Sequence, residues 1–558
     1  MTTITAESVF RKLSTAYEDL LLHQPTGEHP YVGAVVDYES NLDAAHSGAT
    51  VTLLAGGIRL LDGLDRRLCK LPLRLSPEQL LDRLALAADY LLNVQRPSGR
   101  IDLRNCNYDA GPAVGFALQE LCPAIETART MREAGKFPAA VLEKIETFSR
   151  RAATGLLDGG FHTPNHRWVV ASAMAMAQET FDDFNARSQI DAILAETVDI
   201  DDDGAYQERS AGAYDAVAGH SLLILHDRLE WQEALDAVRK NLQMDLHLFH
   251  ADGTIETGLS SRQDAGTATV PKPLCPVALR LARTTGEQRF ADLAEYLWQA
   301  PGSFDARSLC RLAELVLVEP APTAEPRVPD QYETCFAANQ LWRVRKGRLS
   351  VSAFGDSKRV LSVRFGRAEM LGMSIRQSLI GPVGDFLADR MQEFGGGVRL
   401  DSFGLRHPER CGYNLPLGEE VPIDRWEHMN RLRDIRPIPA PQMQLDIRRI
   451  ADGLELTLKS IGGLDDVASQ IAMDFPAGGF WETGDTATIT QPGQVMVLKG
   501  GAGSMRFGHD VLAIGPGSGA HTTLAMRDTT GPGDNARVLM TFLTPIDHTF
   551  RITCRRGV

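Results

Sequence analysis

Apolar residues recur at every third or fourth position through Val9–Leu22, Thr50–Leu64, Pro77–Leu92, Ala113–Glu133, Ala139–Leu157, Trp168–Asn185, Ala213–Leu229, Glu233–Leu248 and Pro276–Arg283. That period marks amphipathic helices. Short breakers (Pro-Ser-Gly, Asp-Gly-Gly, Asp-Asp-Gly) separate them. β-branched alternation is almost absent before residue 318, so residues 1–318 read as helix after helix.

A second periodicity overlies the first. A glycine, any residue, an apolar residue and a polar residue recur at Gly99-Arg100-Ile101-Asp102, Gly159-Gly160-Phe161-His162, Gly204-Ala205-Tyr206-Gln207 and Gly253-Thr254-Ile255-Glu256, at intervals of 60, 45 and 49 residues. Each interval holds one antiparallel helix pair with its loops, the pattern of stacked helical hairpins. If the hairpins close into an α/α toroid, equivalent loops share one rim. An open α-solenoid or an irregular bundle is the alternative.

The pattern changes at Val318. Four prolines in residues 320–329 predict a stiff linker. Beyond it, short alternating runs predict strands at Arg348–Phe354, Arg359–Phe365, Gln444–Arg449, Leu454–Lys459, Val495–Leu498, Val538–Leu543 and Phe550–Cys554, separated by glycine-rich turns. The expected fold is therefore α+β and multidomain. It comprises an incomplete α/α toroid over 1–318 that carries the catalysis, a proline-rich linker over 319–330, and an antiparallel β-sandwich over 331–558.

Composition adds limits. The 558 residues exceed a single ordinary core. No apolar run approaches the roughly 20 residues that span a membrane. The first residues read as an acidic amphipathic helix and not as an export signal, so a cytoplasmic location is expected. Eight scattered cysteines without a C-x-x-C pair predict no disulfide framework and no cysteine zinc site. A net charge of −14 argues against a nucleic-acid partner, although a few arginines can make one cleft attractive to an anion.

Candidate chemistry gathers on two loops one repeat apart. The first, Asp158–Trp168, brings His162, Asn165, His166, Arg167 and Trp168 to the start of a helix; the second, Asp203–Tyr214, carries Tyr206, Glu208, Arg209 and Tyr214. An Asn amide can hydrogen-bond a carboxylate without adding charge. Either His162 or His166 can act as a base near neutral pH, and a phenol can hand its proton to a leaving oxygen. Trp168 and Tyr206 offer flat faces to a sugar ring. An amide, an imidazole, a phenol and an arginine are what β-elimination from a uronic acid requires. Helix capping and half-buried packing are the plainer readings of each residue taken alone. A third loop offers Arg262 and Gln263 as sugar or carboxylate contacts, with Asp264 to orient the arginine. Asn107 and Tyr108, before another helix, are placed at the entrance.

The helical half, the proline-rich joint, the β-rich half, Asn-His before a helix and Asp-Gly-x-Tyr-x-Glu-x-Ser-x-x-x-Tyr one repeat later together resemble the heparinase II/III-type polysaccharide lyases and their alginate- and oligoalginate-lyase relatives. The resemblance implies Asn165, with His166, as the group that neutralises the uronate carboxylate. It implies Tyr214 as catalytic acid, and as base where the two groups lie syn. It also implies a histidine base from the β domain, for which His407 is preferred over His428. His162, Arg167, Trp168, Tyr206, Glu208, Arg262, Gln263, Asn107 and Tyr108 then bind an anionic oligosaccharide or polysaccharide. A structural divalent metal in the β domain occurs in some members, but no metal-binding spacing or nucleotide motif is present here, and no cofactor is expected. A homo-oligomer is compatible with this reading.

The leading expectation is a lyase that leaves a 4,5-unsaturated uronyl end, with exo action on imported oligosaccharides. Its rivals are an α/α-toroid glycoside hydrolase, using two of Asp109, Asp203, Glu208 and Asp264, and a carbohydrate-binding protein without turnover.

Overall fold

The computed structural model describes the chain apart from residues 1–2, 38–43, 46, 104–105, 407–410, 522–525, 527–528 and 558. It divides into two compact units, Met1–Phe249 with Gly253–Val328, and His250–Asp252 with Pro329–Val558.

In the first unit, six helices form an inner ring: Ser47–Asp65, Gly111–Glu133, Pro164–Thr180, Tyr214–Leu229, Leu274–Thr285 and Ala306–Val318. Each packs on the next, and the last packs back on the first, so the α/α toroid is closed. Ala6–Leu22, Pro77–Val94, Ala139–Leu156, the short Arg187–Leu194, Gln232–Asp245 and Gln288–Gln299 lie outside the ring and alternate with the inner helices along the chain. The inner helices Ser47–Asp65, Gly111–Glu133 and Pro164–Thr180 are buried along most of their length and rich in small residues, as expected of helices enclosed by others. Gly57 and Gly63 of Ser47–Asp65 mark where an outer helix comes closest. A Cβ there would lie 2.6 Å from the Tyr17 hydroxyl and 2.3 Å from the Phe10 ring respectively.

Because inner and outer helices alternate, the inner helices run parallel and their N-termini share one rim. The recurring glycine loops lie there, each leading into an inner helix. Gly99, Gly204 and Gly253 have φ of +86°, +107° and +89°, and in the second loop Gly160 takes the role at +60°. Only glycine adopts such angles without strain, which is the physical origin of the repeat seen in the sequence. A Cβ on Gly99 would also lie 2.0 Å from the Arg151 carbonyl oxygen.

The proline-rich stretch is extended but is not a free linker. Gln288 Nε2 donates to the Thr323 carbonyl (2.9 Å), Glu325 N donates to Asp292 Oδ1 (3.0 Å) and Arg327 Nε donates to Asp292 Oδ2 (2.8 Å), so it is fastened along Gln288–Gln299.

The second unit is a β-sandwich of a nine-stranded and an eight-stranded sheet. Asp547–Arg556 lies between Gly453–Gly462 and Asp510–Gly515 in the larger sheet. Ala468–Pro476 lies between Ala368–Gln377 and Asn535–Leu543 in the smaller. These pairings are antiparallel; Val495–Val497 joins Asn535–Leu543 in parallel. Alternating residues such as Leu454, Leu456 and Leu458 from one sheet and Ile471, Met473 and Phe475 from the other fill the core. The expected strands are present, some with longer bounds, as in Gln442–Ile450, and some with shorter ones, as in Leu361–Phe365. The helices Gln288–Gln299 and Ala306–Val318 lie beyond those the periodicity picked out singly.

Candidate active site

Four side chains from three rim loops form one connected array. Thr163 and Pro164 begin the helix that carries Asn165 and His166, with proline at the first helical position, where its missing N–H is not needed. Asn165 is 2 % exposed, and its Nδ2 donates to Glu208 Oε2 at 2.6 Å and to Thr163 Oγ1 at 3.3 Å. Glu208 is 6 % exposed, and its other oxygen lies 3.4 Å from Arg262 Nη1. The Arg262 guanidinium lies 4.6 Å from the centre of the Tyr214 ring. The Tyr214 hydroxyl donates to Gln263 Oε1 at 3.2 Å, on the exposed side.

A lower layer holds these residues in place. Asp264 Oδ1 accepts from Ser210 Oγ (2.9 Å) and Ser260 Oγ (2.5 Å). Ser210 Oγ in turn accepts from the backbone N–H of Tyr214, the first residue of its helix, at 3.2 Å. Ser261 donates from both its N–H and its hydroxyl to the Glu208 carbonyl, tying the second loop to the third. Between Glu208 and Ser210 the backbone of Arg209 has φ +50°, a left-handed conformation that a non-glycine residue holds only where its surroundings fix it. Asp264 thus orders serines and not Arg262; the carboxylate beside the guanidinium is Glu208.

The electrostatics follow from burial. Burial pushes the Glu208 carboxyl pKa up, opposed by the Asn165 hydrogen bond and the Arg262 charge. The Tyr214 phenol raises that of the Arg262 guanidinium, against burial and together with Glu208. His166 lies edge-on to His162 (ring centres 4.8 Å apart) and to Phe116 (5.8 Å), and its Nδ1 is buried with no hydrogen-bond partner among the described residues. Burial first, then His162 and Arg262, lower its pKa to about 4, so the imidazole is neutral near pH 7. Parallel inner helices add their positive ends to this rim.

Other expected contacts lie elsewhere. Trp168 is fully buried and its Nε1 donates to Asp199 Oδ1 at 2.8 Å. Arg167 stacks on Trp168 and pairs with Glu196 and Asp199, each at 2.9 Å. Tyr206 is 3 % exposed and its hydroxyl is enclosed without a partner among the described residues. None of these three presents a face to a sugar: their positions on the helix and in the Ile200–Tyr206 bridge turn them inward. Tyr108 is 65 % exposed beside Asn107 in the hairpin Ile101–Leu103/Asn107–Ala110. His162 is exposed. His407 lies outside the described residues, and His428 is exposed on Trp426–Asn430. Phe116, beside His166, was not singled out in the sequence; its signal was only its place after a rim loop.

Among the described residues no group of three or more His, Cys, Asp or Glu side chains is arranged to hold a metal ion, and no helix is long and apolar enough to cross a membrane.

No protein-family model and no curated protein matches the chain. Solved structures do share its fold. A heparan sulfate lyase from Pedobacter heparinus is similar over 98% of this chain and 84% of its own, at 10% identity and TM-score 0.51. A chondroitin AC lyase variant from Streptomyces coelicolor A3 is similar over 98% and 79%, at 11% identity and TM-score 0.53. A Paenibacillus xanthan lyase is similar over 98% of this chain and 56% of its own, at 9% identity and TM-score 0.55. The architecture of toroid followed by sandwich is that of these polysaccharide lyases.

Proposed function

We propose that the protein cleaves a uronic-acid-containing glycan by β-elimination, leaving a 4,5-unsaturated uronyl end. The observation that carries this reading is the array Asn165–Glu208–Arg262–Tyr214, in which one buried carboxylate holds an amide and a guanidinium while the guanidinium lies against a phenol that reaches solvent. The fold shared with polysaccharide lyases supports the same reading.

In the reaction, Arg262 hydrogen-bonds the uronate carboxylate, and Asn165 joins it by exchanging its 3.3 Å hydrogen bond to Thr163 for one to the substrate, spreading the negative charge that develops as C5 loses its proton. The C5–H electron pair becomes the C4–C5 double bond and the C4–O bond breaks. Tyr214 supplies the proton taken by the leaving oxygen, with Arg262 beside it as a positive charge facing any phenolate formed. His166, neutral near pH 7, is free to accept the C5 proton. No step requires a metal.

Hydrolysis requires one carboxylic acid and one carboxylate flanking the bond. Here Glu208 serves Asn165 and Arg262, Asp264 serves two serines, and Asp109 accepts from Ser98 and Arg100. These engagements favour elimination. Incubation with glucuronan, alginate, heparan-type and chondroitin-type fragments tests it: one of them should develop the ultraviolet absorbance of a conjugated uronate. A flat trace across the panel, or reducing sugar released without that chromophore, rejects the proposal.

A further inference from the structure

Contacts between inner helices that are not neighbours in the ring must cross its axis. Arg307 Nε on Ala306–Val318 lies 2.7 Å from Glu120 Oε1 on Gly111–Glu133. Gln119 Nε2 donates to Ser172 Oγ (2.8 Å) and Ser221 Oγ (2.9 Å), spanning three helices. Two turns beyond Arg307, between the neighbouring helices Ala306–Val318 and Ser47–Asp65, Glu314 accepts from Arg59 Nη2 at 2.9 Å. The axis is a polar column, and it leads up to the rim loops. The Arg307 guanidinium lies 5.6 Å from the Phe116 ring, which packs against His166.

The charges along this column pair off, with one exception. Arg307 has Glu120, Arg59 has Glu314 and Arg280 has Asp227. Arg311, one helical turn (about 6 Å) below Arg307, has no hydrogen bond or ion pair among the described residues. Burial, then Arg307, lower its pKa to about 10 against the opposing charges of Glu120, Asp305 and Glu314, so it remains a cation at neutral pH. On Tyr214–Leu229, His220 feels Arg311 more than any other charge, ahead of Arg280 and Arg307; burial and these cations press its pKa well down and keep the imidazole neutral. Arg311 and His220 both retain partial solvent exposure although they lie inside the ring, so open space adjoins them. The carboxylates near Arg311 are already engaged, Glu120 by Arg307 and Thr52, Glu314 by Arg59 and Asp305 by Ser308, which leaves its planar fork open to an oxyanion.

We infer that Arg311, with Arg307 and His220, forms an oxyanion-binding site on the ring axis beneath the rim loops, taking a carboxylate or a sulfate. The source of the anion rests on the lyase reading: if that reading is right, it is an acidic group of the glycan; otherwise it is a free inorganic ion.

The test is thermal unfolding of the full chain in low-anion buffer, titrated with sodium sulfate or sodium glucuronate against sodium chloride at matched ionic strength. The wild type should gain stability with at least one oxyanion beyond the chloride control. Arg311→Gln should unfold at or above the wild-type temperature without anion and lose that gain; Arg311→Lys, which keeps the charge without the fork, should show less than half of it. A gain with sulfate alone assigns a free ion. A gain with glucuronate assigns the glycan, and Arg311→Gln should then raise KM several-fold on a glycan that is turned over, with kcat within about twofold. Gains equal in wild type and Arg311→Gln, or none beyond chloride, overturn the site. Should Arg311→Gln not fold, a full gain in Arg311→Lys overturns it. Failure of every glycan to give unsaturated product rejects the lyase reading alone and leaves the titration to decide this one.

Discussion

Glu208 and Asn165, 43 positions apart, meet at 2.6 Å in the interior of the rim, and the second oxygen of Glu208 faces Arg262. The carboxylate is therefore a brace for the proposed reaction and not a contact for the sugar. Glu208→Ala should cost about 2–3 kcal/mol of stability in urea unfolding, the worth of a buried hydrogen bond to a charged group. It should also lower kcat by at least about tenfold. Glu208→Gln keeps an oxygen for the Asn165 amide and should retain measurable turnover; complete loss in Glu208→Gln, with Tyr214→Phe active, would favour hydrolysis.

Tyr214→Phe removes a hydroxyl whose hydrogen bond goes to exposed Gln263. Stability should change by less than about 1 kcal/mol, substrate binding should persist, and unsaturated product should fall by at least about a hundredfold, the scale of general acid–base catalysis. Unchanged turnover would remove Tyr214 from the mechanism.

His166 titrates at about 4 in the folded chain, below the 6.5 of a free histidine. Between those values the unfolded chain binds more protons, so this group makes the protein lose stability as pH falls from about 6.5 to 4. His166→Gln should flatten that part of the profile in denaturant titrations at stepped pH. An unaltered slope would show that His166 is not the buried neutral group described.

Asp215 acts in the opposite sense. Burial raises its pKa from 3.8 to about 7, and nearby Asp245 is also pushed well up by burial and by Asp215. Asp215 Oδ2 accepts from Asn241 Nδ2 at 3.1 Å, while Asp215 Oδ1, Asp245 Oδ2 and the Tyr206 hydroxyl are buried without partners among the described residues. The folded state holds the extra proton between pH 4 and 7, so stability falls as pH rises through that window. Asp245→Asn should lessen the fall; an identical profile would contradict it.

Trp168, expected to stack on a sugar, is core. Trp168→Ala should cost about 3–5 kcal/mol in unfolding and leave the KM of folded enzyme within about twofold. A large KM change without a stability change would return it to the substrate.

Much of this was legible in the chain. The three-to-four spacing marked the helices, the switch to alternation after Val318 marked the strands, and the glycine repeat marked loops that share a rim, because backbone geometry obliges those residues locally. Asn165, His166 and Tyr214 stood out as reactive types placed at helix starts.

Direction and partnership were a different matter. Arg167 and Trp168 sit beside Asn165 and His166 in sequence, yet successive helical residues point about 100° apart, and only packing against Asp199 turns those two inward. The pairing of Glu208 with Asn165 and Arg262, and the lack of a direct partner for Arg311 among the described residues, depend on the ring closing. The sequence by itself determined the elements, their order and the candidate groups, since local periodicity and backbone angles are written residue by residue. Which groups meet, and which carry an unpaired charge, only the tertiary structure decided, because burial and Coulomb energy depend on distances between residues far apart in the chain.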